Sequence, residues 1–178
     1  MKSVLVHSCC AHCAAYIIDY CRQQGYEVSA LWYNPNIHPY MEHQHRLEAM
    51  KSLAQEVSLP LIITEGYDVI DYFRQVAGHE SQRCQYCFGL RLLKTAETAR
   101  QRGFNAFTTS LLISPHQQHD LLREIGNKIS KERGIDFLYI DFRKRYSNSR
   151  HMTKGLNLYR QQYCGCVYSE WERYTKRD

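Results

Sequence analysis

Seven of the eight cysteines in this 178-residue chain fall into three tight groups, Cys9/Cys10/Cys13, Cys84/Cys87 and Cys164/Cys166, while Cys21 stands apart. In a secreted chain eight cysteines would read as a disulfide framework; in a reducing compartment they read as metal ligands or redox thiols. The start, Met1-Lys2-Ser3-Val4-Leu5-Val6-His7, reaches polar residues too early for a signal peptide, and no run of about 18 apolar residues occurs. A cytoplasmic protein with no membrane partner is therefore expected, and its thiols should be available for chemistry. Cys84-Gln85-Tyr86-Cys87 is a CxxC, a spacing that lets two sulfurs reach one iron or zinc. A structural zinc would be satisfied by four ligands, so seven clustered cysteines leave sulfurs over for reaction. An iron–sulfur cubane also takes four, and Cys9, Cys10, Cys84 and Cys87 are assigned to it. Cys13, Cys164, Cys166 and Asp141 then stand beside it as the expected catalytic set. Cys164-Gly165-Cys166 could bind a second metal or close into a strained, easily reduced disulfide.

Other residues are assigned by type and place. Asp141 heads Asp141-Phe142-Arg143-Lys144 after an apolar stretch, where a carboxylate could bind iron or move protons; the plainer alternative is a cap or an ion pair with a neighbouring arginine. The net charge is +5, but residues 143 to 177 hold nine Lys/Arg against two Glu, so a basic tail of +7 follows a body of −2. That asymmetry suits a polyanion such as nucleic acid, or simply a solvated face. Tyrosines interleave with these cations at 146, 159, 163 and 168, a pattern that can stack on unpaired bases or pack late helices. Cys21 shares a helix face with Ile17 and Ile18 and reads as core. His43 and His45 lie on different helix faces and receive no metal role; His12 and His116 are possible proton donors.

The elements that must position these groups alternate between strand and helix. Strands are predicted at Val4 to Val6, Val28 to Tyr33, Leu61 to Ile63, Ala106 to Thr109 and Phe137 to Ile140. Helices are predicted over Ala14 to Gln24, Tyr40 to Val57, Val69 to Val76, Gly89 to Arg102, and from Pro115 to about Arg133, where Gly134 ends the run. This order implies an α/β fold, a mostly parallel sheet covered on both faces, in one domain: a core over 1–142 and a basic, cysteine-containing helical segment over 143–178 packed on it. In such sheets ligands bind beyond the carboxyl ends of the strands. The loops at Ser8 to Cys13, Asn34 to His38, Ser110 to His116 and Asp141 to Lys144 should therefore share one edge.

Taken together, six segments resemble the QueH-type epoxyqueuosine reductases. They are His7-Ser8-Cys9-Cys10-Ala11-His12-Cys13, Tyr33-Asn34-Pro35-Asn36-Ile37-His38-Pro39, Arg83-Cys84-Gln85-Tyr86-Cys87, Ser110-Leu111-Leu112-Ile113-Ser114-Pro115, Asp141-Phe142-Arg143-Lys144, and the run from Tyr159 to Cys166. The family pattern has proline where this chain has His12, a departure that leaves every sulfur in place. The resemblance implies cobalamin-independent reduction of epoxyqueuosine to queuosine at the tRNA wobble position, with a 4Fe-4S cluster, an adjacent mononuclear iron and an unidentified electron donor. It implies a Rossmann-like, nucleotide-alpha-hydrolase-like fold in which cysteines replace a phosphate-binding loop, in keeping with the absence of glycine from Ser8 to Cys13. Asn34, Asn36, Ser110, Arg143, Lys144, Tyr159 and Arg160 are the expected substrate-binding residues. Two alternatives stand beside it: an ATP-dependent tRNA-thiolating enzyme on a related fold, which should carry a glycine-rich loop, and a non-catalytic zinc-stabilised RNA-binding module.

Overall fold

The computed structural model describes residues 2–175; Met1 and the end of the basic segment, residues 176–178, lie outside the described residues. Five strands form one parallel sheet in the order β3-β2-β1-β4-β5. These are β1 (Lys2–His7), β2 (Tyr26–Trp32), β3 (Leu61–Ile63), β4 (Ala106–Thr109) and β5 (Asp136–Phe137). Val4, Leu5 and Val6 are fully buried, which accounts for the unbroken apolar run of a central strand flanked on both sides.

The helices are α1 (Ala11–Gln23), α2 (Tyr40–Glu56), α3 (Val69–Val76), α4 (Arg83–Gln101), α5 (His119–Arg133), α6 (Tyr146–Met152) and α7 (Val167–Thr175). Parallel crossovers are right-handed, so α1 and α2 cover one face while α4 and α5, whose connections run the other way along the sheet, cover the second. The helix contacts agree: α1 packs on α2 and α6, and α4 packs on α5. Strand order reverses between β1 and its neighbour β4, so the loops after these two strands open the crevice where such sheets bind ligands.

Four boundaries differ from the sequence expectation, and three of them move functional residues. Helix α1 begins at Ala11 rather than Ala14, which makes Cys10 its N-cap and puts Cys13 in its first turn. Helix α4 begins at Arg83, after a 3-10 turn over Glu80–Gln82, rather than at Gly89. The CxxC therefore lies within the helix, with Cys84 and Cys87 three apart on neighbouring positions of one face, and Gly89 is a tolerated interior glycine. Strand β5 stops at Phe137, although β4 runs on to Thr109 before its 3-10 turn at Ser110–Ile113. Asp141 is thus not at a strand end; it follows an irregular stretch fastened by Phe142 N–H to Leu112 C=O at 3.1 Å. Helix α5 starts at His119, since residues 114–118 form a turn closed by Gln117 N–H to Ser114 C=O.

Candidate metal and redox site

The loop after β1 is fixed from beneath by a buried histidine. His7 Nε2 faces the Tyr33 carbonyl at 3.3 Å and Asn34 Oδ1 at 3.1 Å, so it carries the proton, and Nδ1 accepts from the Thr109 hydroxyl at 2.9 Å. Asn34 Nδ2 in turn donates to the Ser8 carbonyl at 2.9 Å, and the Ser110 hydroxyl accepts from Cys9 N–H at 3.2 Å and lies 3.5 Å from Cys9 Sγ. Asn34 and Ser110, expected to contact substrate, are buried and brace the cysteine loop, and Ser110 also lines a cavity beside Cys9 and Cys13.

The three sulfurs of that loop are not equivalent. Cys10 is pushed down to about 7, first by a hydrogen bond from the Cys13 thiol and then, against the cost of burial, by the first-turn N–H groups of Cys13 and His12. Cys13 is driven well up by holding the proton of that pair and by burial. Burial also raises Cys9, against the opposing pull of Arg91. His12 bridges to the C-terminal segment: Nε2 donates to the Tyr159 carbonyl at 3.2 Å and Nδ1 accepts from Thr153 at 2.5 Å.

On α4, Arg91 lies one turn beyond Cys87, donating from Nη2 to Cys87 Sγ at 2.9 Å and from Nε to the Cys87 carbonyl at 3.1 Å. It is only 1% exposed and makes no salt bridge with a carboxylate among the described residues; the acidic groups that act on it most are the thiols of Cys87, Cys9 and Cys164, which would carry charge only when deprotonated. Burial pushes the Cys87 and Cys84 thiols up, and Arg91 opposes this at both.

The Cys164-Gly165-Cys166 segment is clamped by α2. Arg46, fully buried, is paired with Glu42 at 2.7 Å and donates to the Cys164 carbonyl at 2.8 Å and the Tyr163 carbonyl at 3.0 Å. His38 N–H donates to the Gly165 carbonyl at 2.8 Å, the Tyr163 hydroxyl donates to the His38 carbonyl, and the Tyr159 hydroxyl donates to Glu42. Gly165 has φ +150, and a Cβ there would press on Ile37 at 3.2 Å. Cys164 is exposed, with Gln117 Nε2 3.3 Å from its sulfur; Cys166 is buried beside Tyr72, Val76 and Cys87.

All seven grouped cysteines are free thiols that border adjoining cavities. One of about 200 Å³ has Cys84, Cys87, Cys164, Cys166, Tyr72 and Arg91 in its walls. A second, of about 440 Å³, adds Cys9, Cys13 and Ser110 and shares Cys164, His116 and Gln117 with the first. A third, of about 270 Å³, joins Cys10 and Cys13 to His12, Arg150, Arg160 and Arg173. Among the described residues no three His, Cys, Asp or Glu side chains form a ready-made metal site. Two buried polar atoms in the first cavity stand out: Asn36 Oδ1 lacks a hydrogen-bond partner, and the Tyr72 hydroxyl has only the Cys166 sulfur to meet.

Asp141 is not brought to the sulfurs. Both its oxygens are taken by Arg143, at 2.5 to 3.1 Å, which holds its carboxyl well below the usual range, and it borders none of the cysteine-lined cavities. Arg143 makes that pair while remaining half exposed, Lys144 is exposed on the adjoining 3-10 turn, and Tyr159 braces α2. Arg160 does line the third cavity, together with Arg150 and Arg173, which sequence reasoning passed over. It also missed Arg91, Arg46 and Tyr72. The i,i+4 spacings Cys87/Arg91 and Glu42/Arg46 were the available signals, and the first was hidden by starting α4 too late.

A family model described as Epoxyqueuosine reductase QueH matches residues 4–172. The chain belongs to the QueH family. Its relatives include a protein named Epoxyqueuosine reductase QueH from Dehalococcoides mccartyi, 53% identical over 97% of this chain and 95% of the relative. A second of the same name, from Thermotoga maritima, is 35% identical over 99% of this chain and 94% of its own length. Among solved structures, a predicted subunit of a tRNA methyltransferase from Methanocaldococcus jannaschii superposes with a TM-score of 0.60 at 12% identity, over 86% of this chain and 75% of that one, a likeness of fold alone. QueH membership sets the chain among oxidoreductases rather than tRNA-thiolating enzymes or non-catalytic modules.

Proposed function

We propose that this chain reduces epoxyqueuosine to queuosine at the wobble position of tRNA, using a 4Fe-4S cluster and an adjacent iron and needing no cobalamin. Its place in queuosine biosynthesis follows from the family; the cofactors are those the resemblance implies, and the donor set is of a kind that could hold them. The observation that carries the reading is Arg91, a buried guanidinium that faces Cys87 sulfur and has no carboxylate counter-ion among the described residues. An unpaired buried cation is costly, so anionic sulfur is the natural complement, and metal binding is what deprotonates buried thiols outright. Soft thiolates without histidine select iron–sulfur or zinc centres. Cys9 and Cys87 both interact with Arg91, in keeping with Cys9, Cys10, Cys84 and Cys87 as the cluster ligands. Cys13, Cys164 and Cys166 remain for a second iron or a dithiol. Asp141 is left out of this ligand set because Arg143 occupies it.

Such a cluster, when bound, supplies electrons singly, and a neighbouring iron polarises an oxygen as a Lewis acid. The chain's own groups do the rest. Converting an epoxide to an alkene and water consumes two electrons and two protons, which a Cys164/Cys166 dithiol releases on closing to a disulfide; an external donor, not identified, then reopens it. Arg150, Arg160 and Arg173 surround the cavity that reaches Cys13 and would hold anticodon-loop phosphates, with Tyr146 in the same wall to stack on a base. No helix of the described chain is long and apolar enough to cross a membrane.

The test is anaerobic reconstitution with iron and sulfide, followed by assay on epoxyqueuosine-containing tRNA with a strong reductant. Brown, iron-rich protein that forms queuosine is expected. Fully loaded protein that forms none, or colourless protein purified anaerobically with zinc, would overturn the proposal.

A further inference from the structure

The cavity bordered by Cys84, Cys87, Cys164 and Cys166 carries two buried donors that come from different helices, Arg91 from α4 and Tyr72 from α3. Arg91 is 1% exposed and spends Nη2 on Cys87 Sγ. Tyr72 is 0% exposed, packs directly with Cys87 and Cys166, and finds no oxygen or nitrogen partner for its hydroxyl, only the Cys166 sulfur. Buried polar groups are almost always satisfied, so a phenol that reaches only the Cys166 sulfur and a guanidinium that reaches Cys87 without a carboxylate, turned on neighbouring sulfurs, point to a shared anionic acceptor. Metal-bound thiolate and sulfide have that chemistry: they accept N–H and O–H bonds and carry negative charge.

Resting on the iron–sulfur reading above, we propose that Arg91 and Tyr72 are positioning residues that raise the reduction potential of the thiolate-held group. When one electron enters, no bond need break, but negative charge on the sulfurs grows. A fixed cation and a hydrogen-bond donor beside them stabilise the reduced form more than the oxidised one. Arginine suits this task because its charge persists when buried, where a lysine would tend to lose its proton. The site therefore takes up an electron more readily than its thiolates alone would allow.

The decisive experiment is a redox titration of the anaerobically reconstituted full chain, followed optically and by electron paramagnetic resonance, with iron and sulfide counted alongside. Tyr72→Phe removes one hydroxyl and should keep the iron content while lowering the reduction equilibrium constant several-fold. Arg91→Gln should lower it about tenfold or more, a shift of about 59 mV for one electron, and Arg91→Lys should fall between. A Tyr72→Phe protein with wild-type iron and an unmoved potential would overturn the inference, and so would one that alone loses its iron, which would mark the phenol as structural. If Arg91→Gln does not fold, Arg91→Lys and Tyr72→Phe decide. A wild-type chain that takes up no cluster would overturn the underlying reading itself, an outcome distinct from loaded variants with unchanged potentials.

Discussion

The sulfurs of this chain differ through their neighbours. Cys10 sits at a helix N-cap and is drawn toward thiolate, with a value near 7, while its partner Cys13 retains the proton. Cys87 is buried, and the Arg91 contact opposes its neutral form. Cys164 and Cys166 differ in another way, one exposed and one enclosed. These contrasts give a substitution test of the ligand division. Cys84→Ala should abolish the broad visible absorbance of the reconstituted protein, whereas Cys166→Ala should retain it and lose turnover on epoxyqueuosine-containing tRNA. The reverse pattern, cluster lost with Cys166 and kept without Cys84, would require the division to be redrawn.

At the scale of elements, α6 of the C-terminal segment packs on α1, while the Tyr163–Cys166 stretch is fastened to the core through α2. Arg46 satisfies two carbonyls of the Tyr163–Cys164 stretch while paired with Glu42, so removing it strands a buried carboxylate and frees the Cys164-Gly165-Cys166 backbone. Arg46→Ala should cost about 3–5 kcal/mol, the usual penalty for breaking a buried pair from one side, read as a drop in urea midpoint; a loss under 1 kcal/mol would show that the clamp is dispensable. The packing of α5 on β5 offers a second test. A Cβ on Gly126 would stand 2.1 Å from the Phe137 ring, so the helix rests directly on the aromatic face. Gly126→Ala should destabilise by about 1–3 kcal/mol through overpacking, despite alanine's better helix propensity, and a stabilised variant would contradict this contact.

For the molecule as a whole, acid is the stress to which the fold is built to respond. Burial pushes His38 and His43 down to about 4, against 6.5 for a free histidine. Between about pH 6.5 and pH 4 the unfolded chain therefore binds protons that the folded chain refuses, so the contribution of these two histidines is complete above pH 6.5 and is lost as pH falls through this window. Thermal melts from pH 7.5 to 4.5 should show Tm falling on the acid side, and His43→Gln should flatten part of that fall. His38 packs on Tyr72 and Phe73 and receives Val167 N–H on its ring, so its protonation would loosen the cysteine segment as well as the core.

Much of this was legible in the residues alone. Apolar runs without alternation mark strands buried on both faces, and their alternation with helices dictates a parallel sheet whose loops share an edge; all five strands and the grouping of cysteines at that edge follow from local pattern and chain connectivity. The six motifs carried the family. What sequence could not supply was which groups become partners once distant segments meet. Arg91 acquires meaning only when α4 starts at Arg83 and is buried behind the β1 loop, Asn34 and Ser110 turn inward because their best hydrogen-bond partners belong to another strand's loop, and Asp141 is claimed by a neighbour two residues away. Periodicity records which face of an element is apolar. Burial, and with it the energy of every charge and thiol, depends on what the rest of the chain lays over that face.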